Sequence, residues 1–142
     1  MRKTKPSIIA GVGMVAFGKP GASDNYDVMG ETAIREALAD SGLDFTHIKQ
    51  AYAGYVYGDS TCGQKVIYKV GMTGIPVFNV NNNCSTGSSA LFMARQAVES
   101  GLVDCALAVG FEQMQPGALG NVWDDRPSPF DDFDTECTDL FD

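Results

Sequence analysis

The residues best suited to chemistry lie in one turn between an apolar segment and a stretch of small residues. The apolar segment runs from Pro76 to Val80, and the turn Asn81-Asn82-Asn83 then leads to Cys84. We predict a strand before the turn and a helix that begins at Cys84. The free N–H groups and positive dipole end of a helix favour a thiolate, which makes Cys84 a candidate nucleophile. The alternative is a small buried cysteine that happens to open a helix.

The elements around this turn alternate in type along the chain. Apolar runs predict strands at residues 7–13, 50–58, 75–80 and 104–110. Helices are predicted at residues 27–41, capped by Asp27 and ended by Gly42, at residues 64–70, and from Cys84 to about residue 100. The βαβαβαβ pattern predicts an α/β fold, a mainly parallel sheet with helices on both faces. Chemistry in such sheets gathers beyond the carboxyl ends of the strands, where Cys84 lies.

The predicted helix after Cys84 is unusual because its first two turns consist almost entirely of small residues, at positions 85–90. Small side chains allow close packing against neighbours on several sides. We therefore expect a helix that is buried all round, which would keep the Cys84 site dry.

Charge is distributed unevenly along the 142 residues, whose net charge is −8. Residues 124–142 hold eight acids and one base, so residues 1–123 are close to neutral. We divide the chain into an α/β region, residues 1–120, and the start of an acidic loop region, residues 121–142. The composition of this second region predicts either disorder in isolation or the beginning of a further region that needs partner segments. Nucleic-acid binding is not expected, since no basic face is evident.

The cysteines and the single histidine do not suggest a metal site. Cys62, Cys84, Cys105 and Cys137 contain no CxxC pair, and His47 lies in a predicted surface connector. Four scattered cysteines are typical of free thiols in a reducing compartment. No apolar run is long enough to span a membrane. The basic start and apolar run of residues 1–17 could be a signal peptide, but its glycines and missing cleavage site favour a buried strand.

Five segments of the chain match the sequence pattern of one known family. The most specific is Asn81-Asn82-Asn83-Cys84 with the helix up to Arg95. The other matching segments are residues 11–14, 54–64, 71–76 and 110–114. Together, over roughly residues 7–126, they resemble the N-terminal half of a thiolase of the sterol carrier protein x type.

The resemblance implies the thiolase fold, in which two similar halves stack as five αβαβα layers. It assigns Cys84 as the acyl-accepting nucleophile of a 3-ketoacyl-CoA thiolase, with its backbone N–H as one oxyanion donor. Acyl-CoA and coenzyme A are then substrates, and no bound cofactor is implied. The resemblance also implies a homodimer through the strand from Pro76 to Val80. It places the protein in lipid metabolism such as fatty-acid β-oxidation, in the bacterial cytoplasm or the eukaryotic peroxisome.

The same resemblance leaves the site incomplete, because the family's activating histidine and second cysteine belong to its C-terminal half. His47, Cys62, Cys105 and Cys137 match none of those positions. We therefore expect these 142 residues alone to be inactive and to expose an apolar face that packs on the second half. The alternative is a non-thiolytic thiolase-like subunit, an aldolase or lipid-metabolism partner in a hetero-oligomer. Lipid binding and ketoacyl synthesis fit the residues less well.

Overall fold

The computed structural model describes residues 6–117 and 123–128 of the chain. The described part contains three helices, three strands and one short 3-10 helix. In chain order these are α1 (Tyr26–Ser41), the 3-10 helix (Phe45–His47), β1 (Gln50–Gly54), α2 (Cys62–Val70), β2 (Val77–Val80), α3 (Thr86–Glu99) and β3 (Ala106–Gly110). The strands form one parallel sheet in the order β2-β1-β3, which confirms the predicted α/β class.

The sheet is covered by helices on both faces, as predicted. Strand β1 lies at its centre, and successive side chains of β1 point to opposite faces. On one face α1 and α2 bury a core whose members are Ile34, Phe45, Ile48, Ala51, Ala53, Val66, Ile67, Leu107 and Val109. On the other face α3 covers a smaller cluster whose buried members are Tyr52, Ala90, Ala94 and Ala97.

Helices α1 and α2 are joined by charged groups as well as by the core. Lys69 Nζ lies 3.0 Å from an Asp27 carboxylate oxygen and 3.5 Å from a Glu31 oxygen. The hydrogen bond from Lys69 holds the pKa of the Asp27 carboxyl below its usual range. The predicted capping role of Asp27 is wrong: Asn25 is the N-cap and Asp27 sits in the first turn, where it faces α2. The predicted C-cap at Gly42 is confirmed, with φ at 69°.

The first predicted strand, residues 7–13, does not form. It makes no ladder with any described strand and instead follows α1. The N–H of Val12 donates to Asp40 Oδ2 at 2.9 Å, and the N–H of Met14 donates to Glu36 Oε2 at 3.0 Å. A Cβ on Gly13 would lie 2.6 Å from the Ala37 nitrogen, so glycine permits this close approach. The α1 carboxylates thus take backbone donors that a sheet neighbour would otherwise use.

The remaining strands occur where they were predicted, but each is shorter. The run expected over residues 50–58 ends at Gly54, and those at 75–80 and 104–110 begin two residues late. The 3-10 helix ends at His47, which is exposed as expected. The acidic region expected to be disordered, residues 121–142, lies outside the described residues apart from 123–128.

Candidate active site

The carboxyl ends of all three strands meet at one edge of the sheet. Gly54, the last residue of β1, is paired with Val80 of β2 and with Gly110 of β3. Beyond the ladder, the N–H of Tyr55 donates to the Val80 carbonyl at 3.2 Å, and that of Phe111 donates to the Gly54 carbonyl at 3.1 Å. The segments that follow the three strands therefore leave the sheet side by side, at the edge where ligands bind in open parallel sheets.

Cys84 lies in the turn between β2 and α3, two residues before the helix begins at Thr86. The prediction that the helix begins at Cys84 is therefore wrong. Asn83 adopts a left-handed conformation with φ at 47°, which an asparagine tolerates better than most residues. The amides of Ser85 and Thr86 then donate to the carbonyls of Asn82 and Asn83, both at 3.1 Å. These bonds complete a turn before the first helical residue.

The thiol of Cys84 is exposed, and its Sγ lies 3.8 Å from Asn83 Oδ1. The dry environment that the sequence predicted is not present around it in the described part of the chain. An exposed thiol at the carboxyl edge of a parallel sheet is open to a substrate.

The side chain of Thr86 links this turn to β1 at the centre of the sheet. The sequence analysis did not predict this role for Thr86. Its Oγ1 accepts the N–H of Asn82 at 2.8 Å and donates to the Asn83 carbonyl at 2.6 Å. Its methyl group faces Gly54, where an added Cβ would lie 2.8 Å from Thr86 Cγ2. Thr86 is 4% exposed, and it is the buried polar residue of the described core. The available signal was a hydroxyl at a helix start, where such side chains bond to nearby backbone.

The small residues of α3 permit close contact on one side of the helix only. Ala90, Ala94 and Ala97 are buried against the sheet, whereas Leu91 and Phe92 are exposed to 50% and 58%. The prediction of a helix buried all round is therefore wrong for this structure. A shallow groove of about 280 Å³ lies beside the C-terminal half of α3 and is lined by Tyr52, Met93, Gln96, Ala97, Ser100 and Leu102. It is distant in sequence from Cys84 and does not contain the thiol.

The other described cysteines are poorly placed for chemistry. Cys62 is buried at the start of α2, and Cys105 is half-buried before β3. Burial raises the pKa of the Cys105 thiol, which disfavours its thiolate. Burial and a hydrogen bond with Cys62 raise the pKa of Tyr26 to about 12. Cys137 lies outside the described residues.

Within the ranges 6–117 and 123–128, no group of three or more His, Cys, Asp or Glu side chains could hold a metal ion. None of the helices in those ranges is long and apolar enough to cross a membrane.

The sequence matches one known protein family over most of its length. Residues 7–124 match the family described as thiolase, N-terminal domain. The chain belongs to the thiolase family, and its described α/β unit is the N-terminal half of that fold.

Individual relatives refine this assignment. Sterol carrier protein 2 of Gallus gallus is 54% identical over 87% of this chain and 23% of its own length. The benzoylsuccinyl-CoA thiolase subunit BbsB of Thauera aromatica is 37% identical over 79% of this chain and 29% of its own length. The resemblance to the sterol carrier protein type is thus confirmed. The chain spans only about a quarter of the length of these relatives.

Solved structures support the fold at lower sequence similarity. The priming β-ketosynthase of the R1128 polyketide biosynthetic pathway matches with a TM-score of 0.67 at 20% identity. The match covers 80% of this chain and 43% of the ketosynthase chain. At this identity the likeness concerns the fold alone.

Proposed function

We propose that the full-length protein is a thiolase-type acyltransferase that cleaves 3-ketoacyl-CoA through an acyl thioester on Cys84. The observation that supports this most is the exposed Cys84 thiol at the carboxyl edge of the sheet in a thiolase-family chain. The relatives named for sterol carriage and for a CoA thiolase support a lipid-related acyl-CoA substrate. We place the reaction in fatty-acid β-oxidation, in the bacterial cytoplasm or, for a eukaryotic source, the peroxisome.

The proposed reaction has two halves. The Cys84 thiolate attacks the 3-keto carbon, and the bond between C2 and C3 breaks, so that acetyl-CoA or propionyl-CoA leaves after its C2 is protonated. A second coenzyme A then attacks the acyl-Cys84 thioester, and its thiol proton passes to a base. The bond between the acyl carbon and Cys84 Sγ breaks, which releases acyl-CoA and regenerates the Cys84 thiolate. The backbone N–H of Cys84 serves as one donor to the oxyanion.

The base and the acid for these steps come, in this proposal, from parts of the protein outside the present 142 residues. The described part holds a single histidine, His47, which is exposed in the 3-10 helix and takes no part at the Cys84 turn. General acid and base groups each typically contribute ~10²–10⁴-fold. We therefore propose that these residues alone have negligible thiolase turnover.

Selective alkylation tests whether Cys84 is the reactive thiol. Brief treatment of the full-length protein with substoichiometric iodoacetamide, followed by peptide mass spectrometry, should label Cys84 well ahead of Cys62 and Cys105. The physical reason is access, since Cys84 is exposed while Cys62 is buried and Cys105 is half-buried. Preincubation with 3-ketoacyl-CoA should protect Cys84. Preferential labelling of Cys62 or Cys105 would argue against the proposed nucleophile.

We further propose a homodimer formed through β2. This strand is at one end of the described sheet, and its outer edge pairs with no other described strand. Such an edge is a ready template for pairing with a second copy about a two-fold axis. Phe78 is 42% exposed there and stacks on Tyr52 at 5.2 Å between ring centroids.

A charge placed on this edge should weaken the dimer. We expect Phe78→Lys in the full-length protein to raise the dimer dissociation constant by at least about tenfold, because a desolvated ammonium is costly at an interface. Sedimentation equilibrium measures the constant. Tyr68→Lys is the matched control, since Tyr68 is an aromatic side chain that is 51% exposed and lies on α2 instead of on β2. Equal dimerisation of both variants would rule out β2 as the interface.

The second candidate function is a thiolase-like subunit without thiolytic activity of its own, acting in a hetero-oligomer. The relative from Thauera aromatica is named as a subunit, which supports assembly with another chain. The exposed Cys84 favours the thiolytic proposal. Copurification of the full-length protein with a second polypeptide, combined with an inactive Cys84 in the complex, would favour the subunit.

A further inference from the structure

The Glu112 carboxylate accepts hydrogen bonds from two backbone N–H groups, and it takes no part in holding the Cys84 turn. Its Oε2 accepts the N–H of Val56 at 2.8 Å, and its Oε1 accepts the N–H of Tyr57 at 3.0 Å. Glu112 is half-buried two residues after β3, and no lysine or arginine of the described part forms an ion pair with it. Its carboxylate is therefore held by two consecutive backbone amides, and such charge-assisted bonds are stronger than neutral ones.

This contact explains why β1 ends early. The apolar run of β1 continues in sequence to about residue 58, but the ladder stops at Gly54. The amides of Val56 and Tyr57 bind Glu112 instead of a strand partner. The ring of Tyr55 stacks on the ring of Phe111, with 5.4 Å between their centroids. This stacking is a second contact between the segment after β1 and the segment after β3.

The segment held in this way, residues 55–59, leaves the sheet at the edge where the Cys84 turn also leaves it. Tyr55 binds Val80, the last residue of β2, through its backbone N–H. Gly54 contacts Thr86, which holds the Cys84 turn. Residues 55–59 thus lie next to the candidate site. The turn that carries Cys84 is held by hydrogen bonds to Thr86 and not by Glu112.

We propose that Glu112 is a positioning residue that fixes residues 55–59 as one wall of the acyl-CoA site. This inference rests on the proposed function, since it assigns the wall to that substrate. The arrangement suits a carboxylate, because each of its two oxygens accepts one of the two adjacent N–H groups, whereas an amide side chain has one oxygen and one NH₂ group. A glutamine at this position would place its NH₂ group, a donor, opposite the N–H of Val56 or of Tyr57, which is also a donor.

The test compares Glu112→Gln with Glu31→Gln in the full-length protein. Glu31 forms ion pairs with Arg35 and Lys69 and, in the described part of the chain, accepts no hydrogen bond from residues 55–59, so its variant controls for loss of a carboxylate. The probe is an S-alkyl coenzyme A thioether, which binds without reacting. We expect Glu112→Gln to raise its Kd, and the KM for 3-ketoacyl-CoA, by about tenfold. Glu112→Asp keeps both acceptors at shorter reach and should recover part of this loss.

Two further readouts separate positioning from general damage. Alkylation of Cys84 should stay close to that of the wild-type protein in Glu112→Gln, because Thr86 holds the Cys84 turn, while the thermal unfolding midpoint should fall by a few degrees, because two hydrogen bonds are weakened. An unchanged Kd and KM in an active protein would overturn the positioning role alone, as would a parallel loss of binding and of Cys84 alkylation. If the wild-type protein neither binds the thioether nor cleaves 3-ketoacyl-CoA, the proposed function fails, and the role of Glu112 fails with it.

Discussion

Replacing Cys84 by alanine in the full-length protein is expected to lower kcat for cleavage of 3-ketoacyl-CoA by about 10⁴-fold or more. Alanine leaves the backbone N–H and the turn intact but removes the only group proposed to carry the acyl chain. Loss of a covalent nucleophile is among the largest single-residue effects known for such reactions. The measurement is the rate of acetyl-CoA release at saturating coenzyme A and 3-ketoacyl-CoA.

The matched control is Cys105→Ala, which removes a thiol of the same kind from a half-buried position before β3. It is expected to keep kcat within about threefold of the wild-type value, because Cys105 does not reach the sheet's carboxyl edge. KM should change little in Cys84→Ala. Substantial thiolysis by Cys84→Ala, or a comparable loss in Cys105→Ala, would remove Cys84 from the role proposed for it.

The second large effect is expected at Thr86, where valine keeps the shape of the side chain but lacks the hydroxyl. The N–H of Asn82 then loses its acceptor and the Asn83 carbonyl loses its donor, and each such hydrogen bond contributes ~0.5–1.5 kcal/mol. Because this bond and its partner to Asn83 hold the turn that carries Cys84, we expect kcat/KM to fall by about 10–100-fold. Steady-state kinetics and the alkylation rate of Cys84 should fall together.

Thr86→Ser separates the hydroxyl from the methyl group. Serine retains both hydrogen bonds but gives up the contact of Cγ2 with Gly54, so we expect kcat/KM within about fivefold of wild type. A serine variant as impaired as the valine variant would show that packing on Gly54, and not the hydroxyl, positions the turn. Normal activity in Thr86→Val would show that the turn does not depend on the Thr86 hydroxyl.

Local sequence was enough to predict most of the fold. The apolar runs at residues 50–58, 75–80 and 104–110 predicted the three strands, and their alternation with helices predicted a parallel sheet. The run at residues 7–13 looked the same in sequence but forms no ladder. An apolar run shows that a segment is suited to burial and does not show which neighbour takes its hydrogen bonds. Here the neighbours are the Asp40 and Glu36 carboxylates on α1.

The candidate site was predictable only in part, for a related reason. Cys84 was found because its chain position, between an apolar run and small residues, is local information. Its offset from the helix depends on the left-handed Asn83, which sequence alone did not specify. Thr86 was missed because its role depends on contact with Gly54, and Glu112 because its partners lie 55 and 56 residues away. Sequence periodicity carries no signal for such contacts.

Trapping the acyl-enzyme tests the central claim most directly. The full-length protein is mixed with 3-ketoacyl-CoA in the absence of free coenzyme A, quenched in acid and digested for peptide mass spectrometry. The account predicts that the peptide containing Cys84 gains the mass of the shortened acyl group, and that added coenzyme A removes it and yields acyl-CoA. An acyl group on any other residue, or turnover with Cys84 never acylated, would contradict it.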